Sequence, residues 1–564
     1  MESVRHTAFV PLIACAALCA IYAVLAAVAV SGKSATYDEP LHVMLGWLEM
    51  HRGDFRFMPE NPPLWEYWVA LPLGTDAINA NGARADAGLE ERAVHALYRT
   101  PPARGIELVA DSRYMCLALA ILLGLLVAKW AGELAGPVGA VGAMFVFAFD
   151  PNWLGHGPLV KNDVAFALTY VAAAYAVWRV GWRATWWSIL AAVAMPAVCL
   201  GTKLTGLIVG LVMVVSLLVR AVLPRPWMSV CRRRGKIGVA ISLWLAAAAI
   251  AYAGLWAQYR FRFDAGMDMQ ALTNDLRRPD YFTGAALWIE RHRLAPQAWA
   301  GGLIYFQSHD ATGKAAYLAG SVYRGGRWIY FPLAWLFKEP LAIIAGAIAA
   351  AIMALRARGK AGWPGLALLI PAAIALLLDM AGNMNIGIRH LLPVMAFIDI
   401  GIGWCAARLW RGGRFARGAL VMLAAGLAAE TLFAAPNYIA FFNLACGGSR
   451  GGLKLLGDSN LDWGQDLPLL ANWQQAHPNI PLYLDYFGSC DPAAYGIKYV
   501  NVVGGYKWGP PPQLPYWPGV AAISATNLQG IYEMNASEDF AALYRGRAPV
   551  QILGGTIYLF NFPP

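Results

Sequence analysis

The sequence predicts a polytopic α-helical membrane protein with a small extracytoplasmic α/β domain at its C-terminal end. Of its 564 residues, 59% are hydrophobic and only 14% are charged, which is typical of chains with many membrane spans. Apolar runs of about 19 residues recur through residues 1–435, and short Lys/Arg-rich loops separate many of them. Residues 436–564 contain no such run.

Eleven apolar runs are candidates for membrane-spanning helices. The first, from Thr7 to Val30, is longer than the core of a signal peptide, so we expect it to remain as a signal anchor. Together the eleven predict a bundle that occupies residues 1–435. The runs lie near residues 8–30, 113–129, 136–150, 163–179, 186–201, 204–221, 237–256, 340–356, 363–381, 391–407 and 417–434.

Basic residues gather in four of the connecting loops and predict the orientation of the bundle. By the positive-inside rule these loops are cytoplasmic. With the N-terminus inside and an odd number of spans, the C-terminal domain lies in the periplasm and the chain lies in the inner (plasma) membrane. The net charge of +10 comes from such loops, so we expect no nucleic-acid partner. The clusters are Arg179 and Arg183; Arg220, Arg225, Arg232, Arg233, Arg234 and Lys236; Arg356, Arg358 and Lys360; and Arg408, Arg411, Arg414 and Arg417.

The opposite face carries longer segments with a different composition. The first extracytoplasmic loop covers residues 31–112, and a second large loop covers 258–339. The second loop is rich in Trp, Tyr and Arg, which suits interfacial helices. In residues 436–564, a helical pattern at Leu467 to Gln475 alternates with strand-like runs, which predicts an α/β domain. The predicted strands are Leu482–Phe487, Val520–Ser524 and Thr556–Phe560.

The first extracytoplasmic loop holds the clearest chemical signal. The run Tyr37-Asp38-Glu39-Pro40-Leu41-His42 places two carboxylates close to a membrane exit, where isolated charge is costly. Pro40 suits the first turn of a helix, so His42 shares a face with Asp38 and Glu39. Taken alone, the pair also fits a plain helix N-cap. Asn61 follows in the run Glu60-Asn61-Pro62-Pro63-Leu64.

Five further polar groups fall at the same predicted membrane face. Singly, each has an ordinary explanation: Asp163 can cap a helix, Lys203 can snorkel, and Lys338 can anchor a span. Acids beside cations at one face, with plain Lys/Arg loops at the other, instead indicate a site where a base works next to a bound anion. The groups are Asp150, His156 and Asp163; Lys203; Lys338 with Glu339; Arg389 and His390; and Asp458, Asn460, Asp462 and Gln465.

These motifs resemble those of the GT-C superfamily of polyprenyl-phosphate-dependent glycosyltransferases. The resemblance is strongest to glycosyltransferase family 39, the protein O-mannosyltransferase type, and to the bacterial lipid A aminoarabinose transferases. One departure is Glu339, where relatives often carry Thr or Ser. The matching segments are Tyr37–His42 with Asn61–Leu64, Asp150–Asp163, Gly326–Pro332 with Lys338–Pro340, Met384–Pro393 and Asp458–Asp466.

The resemblance implies an inverting enzyme with an extracytoplasmic active site, a sugar on an isoprenoid phosphate as donor, and Asp38 as catalytic base. We expect Glu39 and Asp150 to orient that base or to contact sugar hydroxyls. No cofactor is required, although a divalent metal is compatible with the acids and histidines. The acceptor (protein, lipid or glycan) stays open. Arg389, Lys203 and Lys338 are candidates for the donor phosphate; the other expected substrate-binding residues are His42, Asn61, His156, Asp163, His390, Asp458, Asn460, Asp462 and Gln465.

Three other functions are compatible with the same residues. A transporter or flippase for a lipid-linked or anionic substrate also carries intramembrane charges, although transport sites usually lie near the midplane. A lipid phosphatase would hydrolyse the same donor class, and a scaffold would present the C-terminal domain to a partner. Cys446 and Cys490, the two cysteines of the extracytoplasmic domain, leave a disulfide open.

Overall fold

The computed structural model describes residues 2–80, 88–274, 281–357, 362–532 and 539–563. Arg358 and Lys360 of the basic clusters lie outside these ranges. The first eleven helices are α1 (Glu2–Ser31), α2 (Glu39–Trp47), α3 (Pro63–Ala70), α4 (Leu89–Tyr98), α5 (Gly105–Ala135), α6 (Pro137–Phe149), α7 (Pro151–His156), α8 (Asn162–Arg183), α9 (Trp186–Thr202), α10 (Ile208–Val222) and α11 (Arg233–Gln258).

The remaining helices and the strands follow in the second half of the chain. The helices are α12 (Met269–Asn274), α13 (Tyr281–Arg291), α14 (Gln297–Thr312), α15 (Tyr330–Lys338), α16 (Leu341–Arg356), α17 (Gly362–Ala381), α18 (Leu392–Trp410), α19 (Arg414–Ala434), α20 (Gly448–Gly452), α21 (Leu467–Ala476) and α22 (Ala525–Leu528). The strands are β1 (Ala315–Leu318), β2 (Ser321–Arg324), β3 (Leu482–Asp485), β4 (Val500–Asn501), β5 (Gly519–Ser524), β6 (Gln551–Leu553) and β7 (Ile557–Phe562).

Every predicted apolar run coincides with a helix, but the predicted count of eleven spans is not matched. Within the described ranges, eight helices are long and apolar enough to cross a membrane, or nine if the bent pair α15–α16 forms one span. Helices α6 and α9 have only 13 and 17 residues, whereas a span needs about 20. Helices α15 and α16 meet at 120°, at Glu339 and Pro340. The bend falls where proline lacks an N–H for a continuous helix.

The short helix α9 nevertheless runs between the same two ends as the long helix α8. It begins at a capping box formed by Thr185 and Ser188, next to the arginine-rich end of α8. It ends before Lys203, whose ammonium lies 2.6 Å from Asp163 in the first turn of α8. The arginine-rich loops thus lie at one end of the bundle, and the polar groups of the predicted site lie at the other.

Small residues allow α6 and α18 to pack closely in the centre of the bundle. A Cβ at Gly403 would lie 2.6 Å from the carbonyl oxygen of Gly139, so only glycine fits there. Close backbone approach of this kind is a common way to pack membrane helices. Bulky aromatic side chains fill the remaining space, including Phe147 stacked on Trp153 with 4.7 Å between the ring centroids.

The loop 258–339 contains helices α12–α14, as its composition predicts, and a β-hairpin that the sequence analysis did not anticipate. Strands β1 and β2 pair antiparallel, with Leu318 opposite Ser321. The two turn residues, Ala319 and Gly320, both have positive φ, at 50° and 87°. Two positive φ values are the signature of the type I′ turn, whose twist matches that of paired strands.

The region after Pro436 forms a five-stranded sheet in the order β4-β3-β5-β7-β6. The three predicted strands and the predicted helix correspond to β3, β5, β7 and α21, so the predicted fold class is confirmed there. Strand β3 runs parallel to β4 and β5, and β7 runs antiparallel to β5 and β6. One face of this sheet shares a hydrophobic core with the first loop (residues 31–112), through Leu484 and Leu559 packed with Leu41 and Leu97. The boundary of a separate domain at residue 436 stays a prediction.

Candidate active site

A cavity of about 860 Å³ lies between the polar end of the bundle, the first loop (residues 31–112) and the C-terminal sheet. Its apolar lining residues include Leu204 and Met384, which follow α9 and α17, and Phe306 within α14. The C-terminal region contributes Phe487 and Tyr532. Seven predicted site residues line this cavity: Asp38, Asn61, Asp163, Lys203, Arg389, His390 and Asp458.

Five charged side chains form an alternating row along the cavity, which we call the charge row: Lys161, Asp38, Arg389, Asp163 and Lys203. Lys161 Nζ lies 3.0 Å from Asp38 Oδ2, and Arg389 Nη1 lies 3.3 Å from the same oxygen. Arg389 Nη1 is also 3.3 Å from Asp163 Oδ2. Lys203 completes the row at 2.6 Å from Asp163 Oδ1. The row therefore joins side chains that are more than 350 residues apart in the chain.

Local backbone structure leaves the Asp38 carboxylate available to the cavity. Asp38 precedes α2, but its side chain makes no capping hydrogen bond. The neighbouring Glu39 makes the local backbone contact instead, because its carboxylate accepts a hydrogen bond from the backbone N–H of Thr36 at 2.7 Å. The plain N-cap explanation of Asp38 is therefore wrong for its side chain.

The environment of Asp38 keeps this carboxyl ionised. Burial by itself would raise the pKa of Asp38, but the positive charges of Lys161 and then of Arg389 hold that pKa well below its usual range. Arg389 is fixed from a third direction, because its guanidinium stacks 4.3 Å from the ring centroid of Trp463. A stacked, doubly paired arginine retains its planar orientation when a ligand arrives.

Glu39 lies outside the cavity lining, although it was expected to act with Asp38. Its carboxylate forms a bidentate pair with Arg113, at 2.8 Å from Nε and 2.6 Å from Nη2. It also accepts from the backbone N–H of Val160 at 3.0 Å. Glu39 is fully buried. Its contacts tie the first loop to α5 and to the segment before α8, and thereby position Asp38 and Lys161.

A second polar group, the closed cluster, consists of Asp150, Asn152, Lys338 and Glu339. Each of these residues is at most 1% exposed, and none lines the cavity. Lys338 Nζ donates to the carbonyl oxygens of Ile439 and Asn460 at 2.8 and 2.6 Å, while Asp150 accepts from the backbone N–H of Asn152 at 2.8 Å. The structure thus does not bring Asp150 or Lys338 to the cavity, because the loop after α19 covers them. His156 is likewise buried outside the lining.

The motif from Asp458 to Asp466 divides into two kinds of residue. Asp458 reaches the cavity from a backbone with φ of +54°, a conformation that Asp tolerates better than most residues. Asn460, Asp462 and Gln465 instead hold the turn, because their side chains bond backbone groups of Ile388, Thr526 and Trp463 at 2.9, 3.1 and 2.7 Å. These three were expected to bind substrate, but they are buried and lie outside the cavity lining.

Charged residues that were not predicted from the sequence also line the cavity, among them Lys161, Glu60 and Lys314. Lys161 stands in the quoted run before α8, and Glu60 stands directly before Asn61. Burial raises the pKa of Glu60 to about 7, and its Oε2 atom has no hydrogen-bond partner among the described residues. Lys314 also lines the cavity, and no carboxylate within the described ranges pairs with it. Lys161 and Glu60 could have been predicted because they lie next to residues of the chosen motifs. No motif in the sequence near Lys314 indicates that it belongs to the site.

Residues that could hold a metal do not converge in this cavity. Over the described ranges, no group of three or more His, Cys, Asp or Glu side chains is arranged to hold a metal ion. Asp38 and Asp163 are kept apart by the Arg389 guanidinium that both contact. A cationic group, which suits an anion, therefore lies between these two carboxylates.

His42 lies behind the charge row and is fully buried. Its Nε2 atom is 3.0 Å from Lys161 Nζ, and its Nδ1 atom is 2.8 Å from Glu66 Oε1. His42 therefore contacts a cavity cation without lining the cavity itself. Cys446 and Cys490 are both free cysteines, so they form no disulfide in this structure.

No protein-family model matches the chain, and no curated protein matches it. Among solved structures, it is similar to ArnT from Cupriavidus metallidurans bound to undecaprenyl phosphate, with 14% identity over 97% of each chain and a TM-score of 0.48. The apo state of the same protein gives 15% identity over 99% of this chain and 98% of that chain, also with a TM-score of 0.48. The Archaeoglobus fulgidus oligosaccharyltransferase tethered with an acceptor peptide gives 12% identity over 75% of this chain and 55% of that chain, with a TM-score of 0.46. Similarity of this strength assigns no activity to this chain.

Proposed function

We propose that this chain is an integral-membrane glycosyltransferase that moves a sugar from a polyprenyl-phosphate donor to an acceptor hydroxyl, with inversion at the anomeric carbon. The reaction takes place at the extracytoplasmic face of the plasma membrane, with the N-terminus in the cytoplasm and the C-terminal region in the periplasm. The residue motifs that resemble the GT-C superfamily support this assignment. So do the apolar helices and the single polar end of the bundle.

The charge row is the observation that carries the proposal. It contains three cations and two carboxylates, so it holds one net positive charge beside a cavity of about 860 Å³. Lys161 and Lys203 lie at its two ends, with 17% and 18% of their side chains exposed. An excess of positive charge in a partly desolvated cavity favours a bound phosphate. The carboxylate between the cations supplies the base that glycosyl transfer to a hydroxyl requires.

In the proposed reaction, the acceptor hydroxyl gives its proton to Asp38 while its oxygen forms the new bond to the anomeric carbon. The bond from that carbon to the phosphate oxygen breaks, and its electron pair stays on the departing phosphate. Arg389 and Lys203 stabilise the charge of that phosphate. The phosphate is already a good leaving group, so no general acid is needed.

The apolar part of the cavity wall gives the isoprenoid chain a route to the phosphate site. Leu204 follows Lys203 directly in the chain and Met384 follows the candidate spanning helix α17, and both line the cavity together with Phe306. A lipid that lies in the bilayer can therefore present its phosphate to Lys203 without leaving the membrane interface. His390, Asn61 and Asp458 line the remaining wall and are the proposed contacts for sugar or acceptor hydroxyls.

Glu60 is the second candidate for the base. Its pKa of about 7 is closer to the value that suits a general base at neutral pH than the lowered pKa of Asp38. Asp38 remains the proposed base because it is ionised and contacts Arg389, one of the two cations that would hold the phosphate. The pH dependence of the reaction separates the two carboxyls.

The assay that tests the function uses the purified full chain in nanodiscs with polyprenyl-phosphate donors that carry radiolabelled hexoses or pentoses. Lipid, protein and glycan fractions of the cell envelope serve as acceptors. We expect release of free polyprenyl phosphate together with label on one acceptor fraction. Release of labelled free sugar alone would mean hydrolysis, and movement of intact donor across a vesicle without release would mean a flippase; either result would contradict the proposal. Mass spectrometry of the envelope from a deletion strain then identifies the sugar and its acceptor.

A further inference from the structure

Behind the charge row, a buried chain of hydrogen bonds ends at Lys161. Glu66 Oε1 lies 2.8 Å from His42 Nδ1, His42 Nε2 lies 3.0 Å from Lys161 Nζ, and Lys161 Nζ lies 3.0 Å from Asp38 Oδ2. His42 and Glu66 are both completely inaccessible to solvent. The two residues belong to helices α2 and α3, so the chain of contacts links two helices of the first extracytoplasmic loop to the proposed base.

The donor and acceptor roles in this chain are fixed by lysine chemistry. A lysine ammonium only donates, so His42 must present the lone pair of Nε2 to Lys161. The proton of a neutral imidazole then sits on Nδ1, where it donates to Glu66 Oε1. Glu66 Oε1 accepts in either charge state of that carboxyl, because a proton on Glu66 can occupy Oε2, which has no partner among the described residues.

A buried histidine is most often a core residue whose hydrogen bonds are satisfied, but His42 also contacts Lys161, a cation that lines the cavity. Lys161 is anchored by two side chains, Asp38 and His42, in a cavity where another cation, Lys203, has one carboxylate and a cation–π contact. Without the Nε2 acceptor, the flexible Lys161 chain would be free to turn into the cavity. The charged and titratable groups that face Lys161 and Asp38 include Arg389, Lys314, Glu60, Glu66, Asp163, Asp458, His42, His390, Tyr37 and Tyr532.

We propose that His42 and Glu66 are positioning residues that hold Lys161 against Asp38, so that Lys161 keeps the base ionised instead of pairing with the donor phosphate. This inference rests on the proposed function, because it assigns Asp38 the role of base. Its geometric part, the Nδ1–H tautomer of His42, is independent of any activity.

Nitrogen NMR of the full chain labelled with ¹⁵N-histidine tests the tautomer directly. The chain has nine histidines, and the spectrum of His42→Gln assigns the signal of His42. We expect a protonated Nδ1 and an unprotonated Nε2 from about pH 8 down to about pH 5.5, since burial and then the Lys161 charge lower the pKa of His42 well below its usual value. A protonated Nε2, or an imidazolium within this range, would overturn the inference even if the protein transfers sugar.

A matched set of variants tests the consequence for the reaction. His42→Gln keeps an acceptor for Lys161 and should retain kcat/KM within about three-fold, whereas His42→Leu removes it and should lower kcat/KM by about 10- to 100-fold. Glu66→Gln and Glu66→Leu make the same comparison for the contact between Glu66 and His42, because glutamine keeps an acceptor for His42 Nδ1 and leucine removes it. If the wild-type protein transfers no sugar, the proposed function fails while the NMR result still decides the geometry.

The pH profile separates positioning from a merely structural role. Burial raises the pKa of Asp38 and the charge of Lys161 opposes that effect, so a displaced Lys161 lets the pKa rise. In His42→Leu the acid limb of kcat/KM should therefore move to higher pH, while in His42→Gln it should stay in place. A loss of activity in His42→Leu with an unmoved acid limb would show that His42 only packs, and would contradict the proposal.

Discussion

The charge row and the closed cluster lie at the same end of the bundle and contain the same kinds of residue, yet they differ in access to solvent. The side chains of Asp38 and Lys161 are 19% and 17% exposed, whereas Lys338 and Asp150 are at most 1% exposed. The row pairs acids with cations from four separate segments. In the closed cluster, the lysine is bonded to two backbone carbonyls instead.

This difference in exposure indicates which charged group can contact a substrate and which one has a structural role. An ion pair that touches a cavity can exchange its partner for a substrate. A lysine whose protons are already bonded to buried carbonyls cannot do so without leaving those carbonyls unsatisfied, which costs about 1–3 kcal/mol for each group. We therefore assign substrate contact to the charge row and assign to the closed cluster the joining of α15 to the loop after α19.

The largest effect is expected when Asp38 of the charge row and Asp150 of the closed cluster are each replaced by asparagine and the two variants are compared. Asp38→Asn removes the proposed base and should lower turnover by about a hundred- to ten-thousand-fold, the range that a general base contributes. Asp150→Asn alters the closed cluster and should leave turnover within a few-fold. Radiolabel transfer measures both, with thermal unfolding as the check that each variant is folded. Near-normal transfer by Asp38→Asn would remove Asp38 from the role of base.

The next largest effect is expected on donor affinity. Arg389→Gln removes a charge-assisted contact to the phosphate and should raise the KM for the lipid-linked sugar by about 10- to 100-fold. Arg408→Gln is the matched control, because Arg389 lies in the turn just before helix α18 and Arg408 lies near the other end of that helix, where it also stacks on a tryptophan, Trp404, at 4.0 Å. An unchanged KM in Arg389→Gln would make Arg389 a structural residue.

Substitution in the closed cluster should lower the stability of the protein rather than its turnover. Lys338→Met leaves the carbonyls of Ile439 and Asn460 without a donor, and each lost bond costs about 1–3 kcal/mol. We expect a clearly lowered unfolding temperature with turnover per folded molecule retained. Lys161→Met should give the opposite pattern, with lower turnover and a smaller change in unfolding temperature. Equal loss of turnover in the two variants would erase the distinction between the two groups.

A smaller effect is expected from Glu60, and it appears in the pH dependence. Because the pKa of Glu60 is raised to about 7, this carboxyl is neutral below that pH and gains a negative charge above it. That charge should weaken phosphate binding, so the donor KM should rise as the pH increases through about 7 in the wild type but not in Glu60→Gln. A rate that instead increases through this pH, and loses that increase in Glu60→Gln, would make Glu60 the base.

The smallest effect is expected at the arginine-rich end. Lys129 and Glu133 form an exposed pair at 2.9 Å in α5, and such pairs contribute about 0.3–0.5 kcal/mol. Lys129→Gln should therefore leave both turnover and unfolding temperature nearly unchanged. A large loss in this variant would show that charge at the arginine-rich end is coupled to the site.

Much of the fold could be predicted from the sequence because hydrophobic periodicity is a local signal. Each predicted apolar run is a helix, and the strands β3, β5 and β7 lie where the strand-like runs place them. The eleven predicted spans exceed the eight or nine helices of the described ranges that are long enough to cross a membrane, because a run such as α6 is apolar enough but has only 13 residues. The hairpin β1–β2 was missed because its type I′ turn has alanine at the first position, where Asn or Gly is the usual signal.

The candidate site could be predicted only as a list of residues near one membrane face. The sequence analysis chose Asp38, Asp163, Lys203 and Arg389, and the structure joins them in one row. It also chose Glu39 and Lys338, which the structure buries in other contacts. Their residue types were equally suggestive, so nothing in the local pattern separates the two groups. Lys161, which contacts Asp38 directly, lies between the predicted residues His156 and Asp163 but was not itself predicted.

The sequence by itself determined that this chain has an apolar helical bundle with its basic loops and its acid–cation motifs on different segments, because hydrophobicity and charge are properties of single residues and their neighbours. Only the tertiary structure decided which of those charges meet and which face a cavity. Contacts such as Arg389 with Asp38, or Lys338 with the carbonyl of Asn460, join segments more than 100 residues apart. Atoms of those distant segments decide whether a charged side chain is solvated, paired or buried. The environment of a carboxylate, and not its residue type, therefore separates a reactive carboxylate from a structural one.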